Sequence, residues 1–375
     1  MYMVKIIEYH KHNTRLYKFR LYVGDGKYVK RTGFTSIKQA RNEAINIKSQ
    51  VLKGTYFKPK ATKVDDIFNE WFKLYCKTVR ESTAKATLVY YSHVKNKIGN
   101  KSIKSLDVRA LQKVANDLST ETTSNMLLKK YINLIDRLLR YAIRQDIIRD
   151  NPLKLVIIPR IQETKKPLNY YNKRQLKTLL SYLKREKNLQ DYMLFKTLAY
   201  TGMRIGELIA LTWQDIDFVK GTIDVNKTAT IGYHNKVIIT DGKTKSSNRT
   251  IALDKETIQE LKHWKQEQAR ELLKRGYNAM NKKQLVFSNR YNRYLDKGTL
   301  NKKLKTCTNN CNLPKLSLHG LRHTHATLLF EGGASVKQVQ TRLGHSNASI
   351  TMDVYTHITK ERLDDIPNLF VATMN

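Results

Sequence analysis

Between residues 17 and 23 apolar and polar positions alternate, with Tyr17, Phe19, Leu21 and Val23 set against Lys18, Arg20 and Tyr22. A period of two is that of a half-buried strand. Gly24-Asp25-Gly26 supplies turn chemistry, and residues 27–32 read as the returning strand. Ser36 with Gln39 three residues later reads as a capping box opening a helix to about Val51. The solvent face of these strands is assigned Lys18, Arg20, Lys27, Lys30 and Arg31. Such a basic ribbon suits a nucleic-acid groove, and equally suits an ordinary solvated surface.

Residues 53–63 hold Gly54 and Pro59 among lysines and read as a linker. The period then lengthens. Thr62 is placed to cap a helix that brings Ile67, Phe68, Trp71 and Tyr75 onto one face. The clearest case is Leu128, Tyr131, Ile132, Ile135, Leu138, Leu139 and Ala142, an apolar stripe at helical spacing. Its other side carries Lys129, Lys130, Arg137, Arg140 and Arg144, either solvated or available to a phosphate backbone. Asn151-Pro152 stops this helical run, because the residue before proline is pushed out of the α region. Residues 159–167, with a proline at each end, form a second linker. Residues 172–210 read as helices, and residues 217–253 as a small antiparallel sheet with turns at Gly221, Gly232 and Gly242. From residue 254 onward the pattern is helical again, and the segment 356–375 ends apolar. The predicted architecture is an α+β multidomain chain. It comprises a β-sheet-plus-helix module (1–56), an all-helical domain (62–160) and a mainly helical domain with a small antiparallel sheet (168–375).

Charge changes this picture. Lys and Arg total 69 against 32 Asp and Glu, a net +37 spread over the 375 residues. A folded chain this basic is expected to neutralise a polyanion, of which a phosphate backbone is the commonest. No apolar run reaches about 18 residues, and charges interrupt the first twenty positions, so the chain reads as neither membrane-spanning nor led by a signal peptide. Three cysteines do not make a disulfide framework. Cys307 and Cys311 lack a second pair at zinc spacing, so they read as small residues in a reducing compartment.

Against that background a few residues carry chemistry. Arg204 lies in Thr201-Gly202-Met203-Arg204-Ile205-Gly206-Glu207-Leu208, and Arg322 follows His319 by three in Leu318-His319-Gly320-Leu321-Arg322-His323. Two guanidinium forks can clamp the non-bridging oxygens of a phosphodiester as charge grows on them. Spacing of three presents His319 and Arg322 to one point of a helix. His319 with His323 has the spacing of a zinc pair, but the glutamate that accompanies such pairs in metalloproteases is missing. His323 and His325 are therefore assigned to packing and hydrogen bonding. Lys243 lies in Asp241-Gly242-Lys243-Thr244-Lys245-Ser246, His345 in Leu343-Gly344-His345-Ser346, and Tyr355 in Met352-Asp353-Val354-Tyr355. Asp215 and Asp217 look like turn residues, leaving no carboxylate cluster of the two-metal nuclease kind.

These separated elements, in this order and wording, resemble the tyrosine recombinase, or phage integrase, family of site-specific recombinases. The resemblance implies that Tyr355 attacks phosphorus, leaving a 3′-phosphotyrosine and a free 5′-hydroxyl. It implies His319 as proton acceptor, Lys243 as acid for the leaving oxygen, and His345 as a hydrogen-bond donor to the phosphate or a support for the tyrosine. Glu207 holds the site without reacting. Lys236 and Lys245 compete with Lys243 on proximity; the Lys-Thr-Lys-Ser wording followed by an arginine favours Lys243. The first module then becomes an arm-type DNA-binding module, the second a core-binding domain and the third the catalytic domain. No cofactor is implied, because the phosphotyrosine conserves the energy of the broken bond. Implied partners are double-stranded attachment-site DNA, three further copies in a tetramer, an accessory DNA-bending protein and an excisionase, in a bacterial cytoplasm.

Two rival functions share many of these residues: a type IB topoisomerase-like relaxing enzyme, and a DNA-binding regulator with an inactive site. The N-terminal β module and the Leu-Gly-His-Ser wording favour the recombinase over the first. Reactive residue types at all six positions argue against the second. With so much basic charge, affinity for duplex DNA should fall steeply between low and physiological salt, because bound counterions are released. Fluorescence anisotropy over a salt series tests this, and a flat log–log plot would assign the charge to something else.

Overall fold

The computed structural model describes residues 4–11, 14–24, 27–52, 63–163, 169–233, 236–241 and 248–345, together with Met352. Lys243, Tyr355, Thr62 and the segment 356–375 lie outside them. The chain divides into two compact units, Met1–Glu163 and Thr164–Asn375.

The first unit holds two cores. Strands β1 (Ile6–Lys11), β2 (Thr14–Gly24) and β3 (Lys27–Phe34) form an antiparallel sheet in that order, followed by α1 (Ile37–Leu52). The alternation along β2 does what a period of two requires: Tyr17, Phe19 and Leu21 are buried with Val29 against Ala40, Ala44 and Ile47 of α1. The Ser36 hydroxyl accepts from the Gln39 N–H at 3.2 Å, while the Gln39 side chain takes the Thr35 hydroxyl. Half of the expected capping box is thus present. Residues directly opposite in an antiparallel pair share a face. Arg20 and Lys30 are partners on the outer face, whereas Arg31 stands opposite Phe19 and so belongs to the helix-covered side. The assignment of Arg31 to the solvent face is corrected by this register. Successive side chains of a strand point to opposite faces of the sheet, and Arg31 is accordingly half-buried. Lys27 pairs with Gly24, and its side chain lies outside the described residues.

The second core belongs to a helical bundle of α2 (Val64–Tyr75), α3 (Glu81–Ile98), α4 (Val108–Glu121) and α5 (Asn125–Arg144). Helix α2 starts at Val64 with Lys63 as its N-cap and no side-chain cap. Its first N–H groups are satisfied by backbone: Val64 donates to the Lys101 carbonyl and Asp65 to that of Gly99, both at 3.0 Å. All seven residues of the predicted α5 stripe are buried, and Lys129, Lys130, Arg137, Arg140 and Arg144 are exposed on its other side. Arg140 pairs with Asp136 at 2.8 Å, and Arg137 lies over the Tyr75 ring.

Among its described residues the second unit is mainly helical around two small antiparallel sheets where one was expected. Helices α6 (Lys173–Glu186), α7 (Leu189–Thr201) and α8 (Ile205–Ala210) come first. Strands β4 (Ile216–Asp217), β5 (Thr222–Val225) and β8 (Arg249–Ala252) make a three-stranded sheet. A separate hairpin joins β6 (Lys227–Ile231) and β7 (Val237–Asp241). Helices α9 (Lys255–Lys274), α10 (Lys297–Asn310), α11 (Leu318–Glu331) and α12 (Val336–Leu343) follow. One core runs from Tyr171 to Leu321, and a smaller one packs Ala326 and Phe330 of α11 on Val339 and Leu343 of α12. No helix among the described residues is long and apolar enough to cross a membrane. Leu139 is fully enclosed in the α5 stripe, so Leu139→Ala should cost about 2–5 kcal/mol, read by denaturant unfolding as a lower midpoint.

Candidate active site

Local sequence sets the stage for each side chain. Helix α7 ends at Gly202, whose φ of 63° is left-handed and cheap only for glycine. Two residues later Arg204 is the N-cap of α8. One turn on, Glu207 reaches back: its Oε2 accepts from the Arg204 backbone N–H and its Oε1 from Arg204 Nη1, both at 2.8 Å. Helix α8 can lie against β6 because residue 206 is glycine; a Cβ there would stand 2.6 Å from the Ala229 carbonyl oxygen. Ser317 caps α11, which presents His319 and Arg322 one turn apart. Ser335 and Gln338 form a capping box at the start of α12, which ends in Gly344 at φ 69° and hands the chain to His345.

That end of α12 gathers the site. A helix C-terminus leaves carbonyls without intrahelical partners and carries partial negative charge. Here three consecutive ones are each met by a different arginine. Arg249 Nε donates to the Arg342 carbonyl at 2.7 Å, Arg322 Nη2 to that of Leu343 at 2.9 Å, and Arg204 Nη2 to that of Gly344 at 3.1 Å. Arg322 also donates to the Gly202 carbonyl at 2.7 Å. Two guanidiniums bonded to adjacent carbonyls are within reach of one small anion. Arg322 is buried, with 2 % of its surface exposed, whereas the Arg204 side chain is 40 % exposed. One arginine is therefore a fixed wall and the other faces solvent.

Glu207 is enclosed between cations. Arg249 Nη2 lies 2.9 Å from its Oε2, and the two side chains are 5 % and 4 % exposed. A charge so buried must be paired. Burial pushes the Glu207 carboxyl up, but the bonds and charge of Arg249, then those of Arg204, outweigh it and hold the group below its usual range. Arg342 spends its guanidinium on the Ala252 and Tyr200 carbonyls and on His325 Nε2, the last at 3.0 Å. His325 Nδ1 lies 2.8 Å from the Ala199 carbonyl. Since a carbonyl only accepts and Arg342 Nε only donates, His325 is the neutral Nδ1–H tautomer. The structural assignment of His325 made from sequence fits this pairing.

The other imidazoles are tuned by loss of water and by positive neighbours. His319 has an exposed edge, yet desolvation first, then His323, Arg322 and Arg204, hold it down at about 4. Burial, Arg322 and Arg204 push His345 down to about 3. Both are neutral at pH 7. His319 and His323 meet edge to face with ring centres 4.7 Å apart. Among the described residues, no group of three or more His, Cys, Asp or Glu could hold a metal ion. Cys307 and Cys311 are free thiols. Asp215 is bound to Lys227 and Thr212, and Asp217 accepts the Val219 and Lys220 N–H groups as a turn residue does.

The structure thus brings Arg204, Glu207, His319, Arg322 and His345 around one helix end, with Lys243 and Tyr355 outside the described residues. Lys18, Arg20, Lys30 and the five basic residues of α5 belong to the first unit. Sequence reasoning missed Arg249 and Arg342. Arg249 entered the sequence reading only as the arginine that follows Lys-Thr-Lys-Ser, and Arg342 is one of 69 basic residues; their partners in the fold, Glu207 for one and His325 for the other, are what give them a place in the site.

Two arginines converging beside neutral histidines in a mainly helical unit suit a phosphodiester, and the family matches make the chain a tyrosine-type site-specific recombinase. Residues 169–362 match the phage integrase family and residues 63–119 the phage integrase N-terminal SAM-like domain, and the chain belongs to the phage integrase family. It is 29% identical to a XerC-like tyrosine recombinase of Caldanaerobacter subterraneus subsp. tengcongensis, over 98% of this chain and 99% of that protein. It is 27% identical to the ICEBs1 integrase of Bacillus subtilis, over 74% of this chain and 75% of that protein. Among solved structures, the Tn1549 transposon integrase in complex with transposon right end DNA shares the fold with a TM-score of 0.63 at 20% identity, covering 82% of this chain and 100% of that one. A lambda integrase tetramer bound to a Holliday junction shares it with a TM-score of 0.58 at 15% identity, covering 92% and 94%.

His325, held down at about 4 by burial first and by Arg342 next, binds a proton more readily unfolded, at about 6.5. The unfolded state therefore gains protons first as pH falls, and stability contributed by neutral His325 is lost between about pH 6.5 and 4. Thermal melts from pH 7 downward should show a shallower loss in His325→Asn than in the parent, although the variant starts from a lower melting temperature.

Proposed function

We propose that this recombinase cuts and rejoins DNA through Tyr355, as an integrase of a mobile genetic element that catalyses both integration and excision. The Tyr355 hydroxyl oxygen attacks phosphorus in line, the bond from phosphorus to the 5′-oxygen breaks, and a 3′-phosphotyrosine forms. Arg204 and Arg322 bind the two non-bridging oxygens, stabilising the charge that grows there. The observation supporting this most is that both guanidiniums rest on adjacent carbonyls at the helix end that delivers His345. A phosphate can take the place of those carbonyls with two better acceptors.

His319 receives the tyrosine proton. Among cations alone it is a weak base, but a bound phosphate brings negative charge that offsets Arg204 and Arg322 and strengthens it. Lys243 gives a proton to the leaving 5′-oxygen, and His345 donates a hydrogen bond to the phosphate. Glu207 keeps Arg204 in place and does not react. Religation runs the same steps backward with a new 5′-hydroxyl.

Residues 1–56 would bind arm-type sites through the outer face of the sheet, with Arg20 and Lys30 foremost. Residues 62–160 would grip the core site through the basic side of α5, and residues 168–375 would carry the chemistry. Strand exchange between two duplexes needs four active sites, hence a tetramer on DNA in the bacterial cytoplasm, with a DNA-bending protein and an excisionase setting direction.

The test uses a plasmid carrying the DNA that flanks this gene, incubated with protein in EDTA. A denaturing gel should show a protein–DNA adduct for the parent and none for Tyr355→Phe, which still binds. Tight binding to that DNA with no adduct, even on a nicked trapping duplex, would leave a DNA-binding regulator in place of an enzyme.

A further inference from the structure

Arg249 is a buried cation to which the chemistry above gives no task. It opens β8, directly after the segment that carries Lys243. Its guanidinium is divided among partners in different directions. Nε holds the Arg342 carbonyl, while Nη1 and Nη2 lie 3.3 and 2.9 Å from the two oxygens of Glu207. Each of those oxygens also holds Arg204, one at the side chain and one at the backbone N–H. The carbonyl held by Arg249 is next in line to those held by Arg322 and Arg204. One side chain therefore joins the solvent-facing arginine, the helix end before His345 and the strand after Lys243.

A plain structural ion pair needs only a charge. The same unit supplies that with lysines: Lys196 pairs with Glu260 at 2.5 Å and Lys227 with Asp215 at 2.5 Å. At position 249 all three nitrogens of the planar fork are engaged, Nη1 and Nη2 toward one carboxylate and Nε at an angle toward a carbonyl. An ammonium cannot reproduce that geometry.

We propose that Arg249 is a positioning residue for strand cleavage, setting the direction of Arg204 through Glu207 and the place of His345 through the Arg342 carbonyl, without touching DNA. The role rests on Arg204, Lys243 and His345 acting as proposed above. It has a signature in pH. Glu207 is faced by Arg204 from the start of α8, Arg249 from β8 and Arg322 from α11. With Arg249 replaced by a neutral residue, burial of the carboxyl is opposed by less positive charge. Glu207 then takes a proton at higher pH and releases Arg204 as pH falls.

The experiment compares the parent with Arg249→Lys, Arg249→Gln and Arg249→Gln/Glu207→Gln on a nicked duplex copied from the DNA flanking the gene. Binding is read by anisotropy, and single-turnover adduct formation from about pH 5.5 to 8.5. Arg249→Lys should bind within about twofold of the parent and form adduct roughly tenfold more slowly or worse. Arg249→Gln should add a loss of rate on the acid side, and the double variant, slow throughout, should lack it. Parent-like cleavage by Arg249→Lys, or an unchanged pH profile in Arg249→Gln, overturns the role. So does a loss of rate matched by equal losses of affinity and melting temperature, since that describes a scaffold residue. Absence of adduct from the parent itself would overturn the site reading, and this role with it.

Discussion

Three consecutive carbonyl oxygens at the end of α12 are each held by a different arginine, and the arrangement of the site depends on that. The arginines come from β8, α11 and the start of α8, elements far apart along the chain. Ordinarily the last carbonyls of a helix turn to water or to a short terminal turn. Here they serve as acceptors for two buried guanidiniums and one that faces solvent, and the negative end of the helix favours the positive charge they bring. Because each carbonyl is displaced along the helix end from the next, the guanidiniums are spaced in turn. His345 follows directly, so its position is set by the same three bonds.

Composition explains why backbone was recruited. With 69 cations and 32 carboxylates, a buried arginine cannot count on an acidic partner. Glu207 is shared between two arginines, and among the described residues Arg322 has two carbonyls and no carboxylate bond. Burial and the Arg204 charge both bear against its own charge, while Glu207 favours it. Such a cluster of like charges is costly in the absence of an anion. That strain is consistent with a site built to receive a phosphate, whose oxygens satisfy what carbonyl dipoles satisfy only in part.

Much of the fold was legible because it rests on periods and caps. The stripe from Leu128 to Ala142 and the alternation from Tyr17 to Leu21 each repeat over few residues and point one way. Boundaries were less legible. Helix α2 begins on backbone carbonyls from residues 99–101, a partner no local pattern announces. The separation of the β6–β7 hairpin from the β4–β5–β8 sheet depends on pairing across sequence, so a run of β-branched residues looked like one sheet. Arg31 was misplaced because charge was read ahead of register.

For the site, sequence alone determined which residue types were present and in what order: Arg204, His319, Arg322 and His345 in wording specific enough to mark the family. It also determined the two glycines, Gly202 and Gly344, that end helices with left-handed turns. Only the tertiary structure decided which of many cations mattered beyond them. Arg249 is in sequence no more than the arginine that follows Lys-Thr-Lys-Ser, and Arg342 is one basic residue among many, until folding buries the side chain of the first and half-buries the second. Burial then makes each unpaired hydrogen bond costly, and only the folded chain brings a strand start, a helix start and a helix end close enough to meet that demand together.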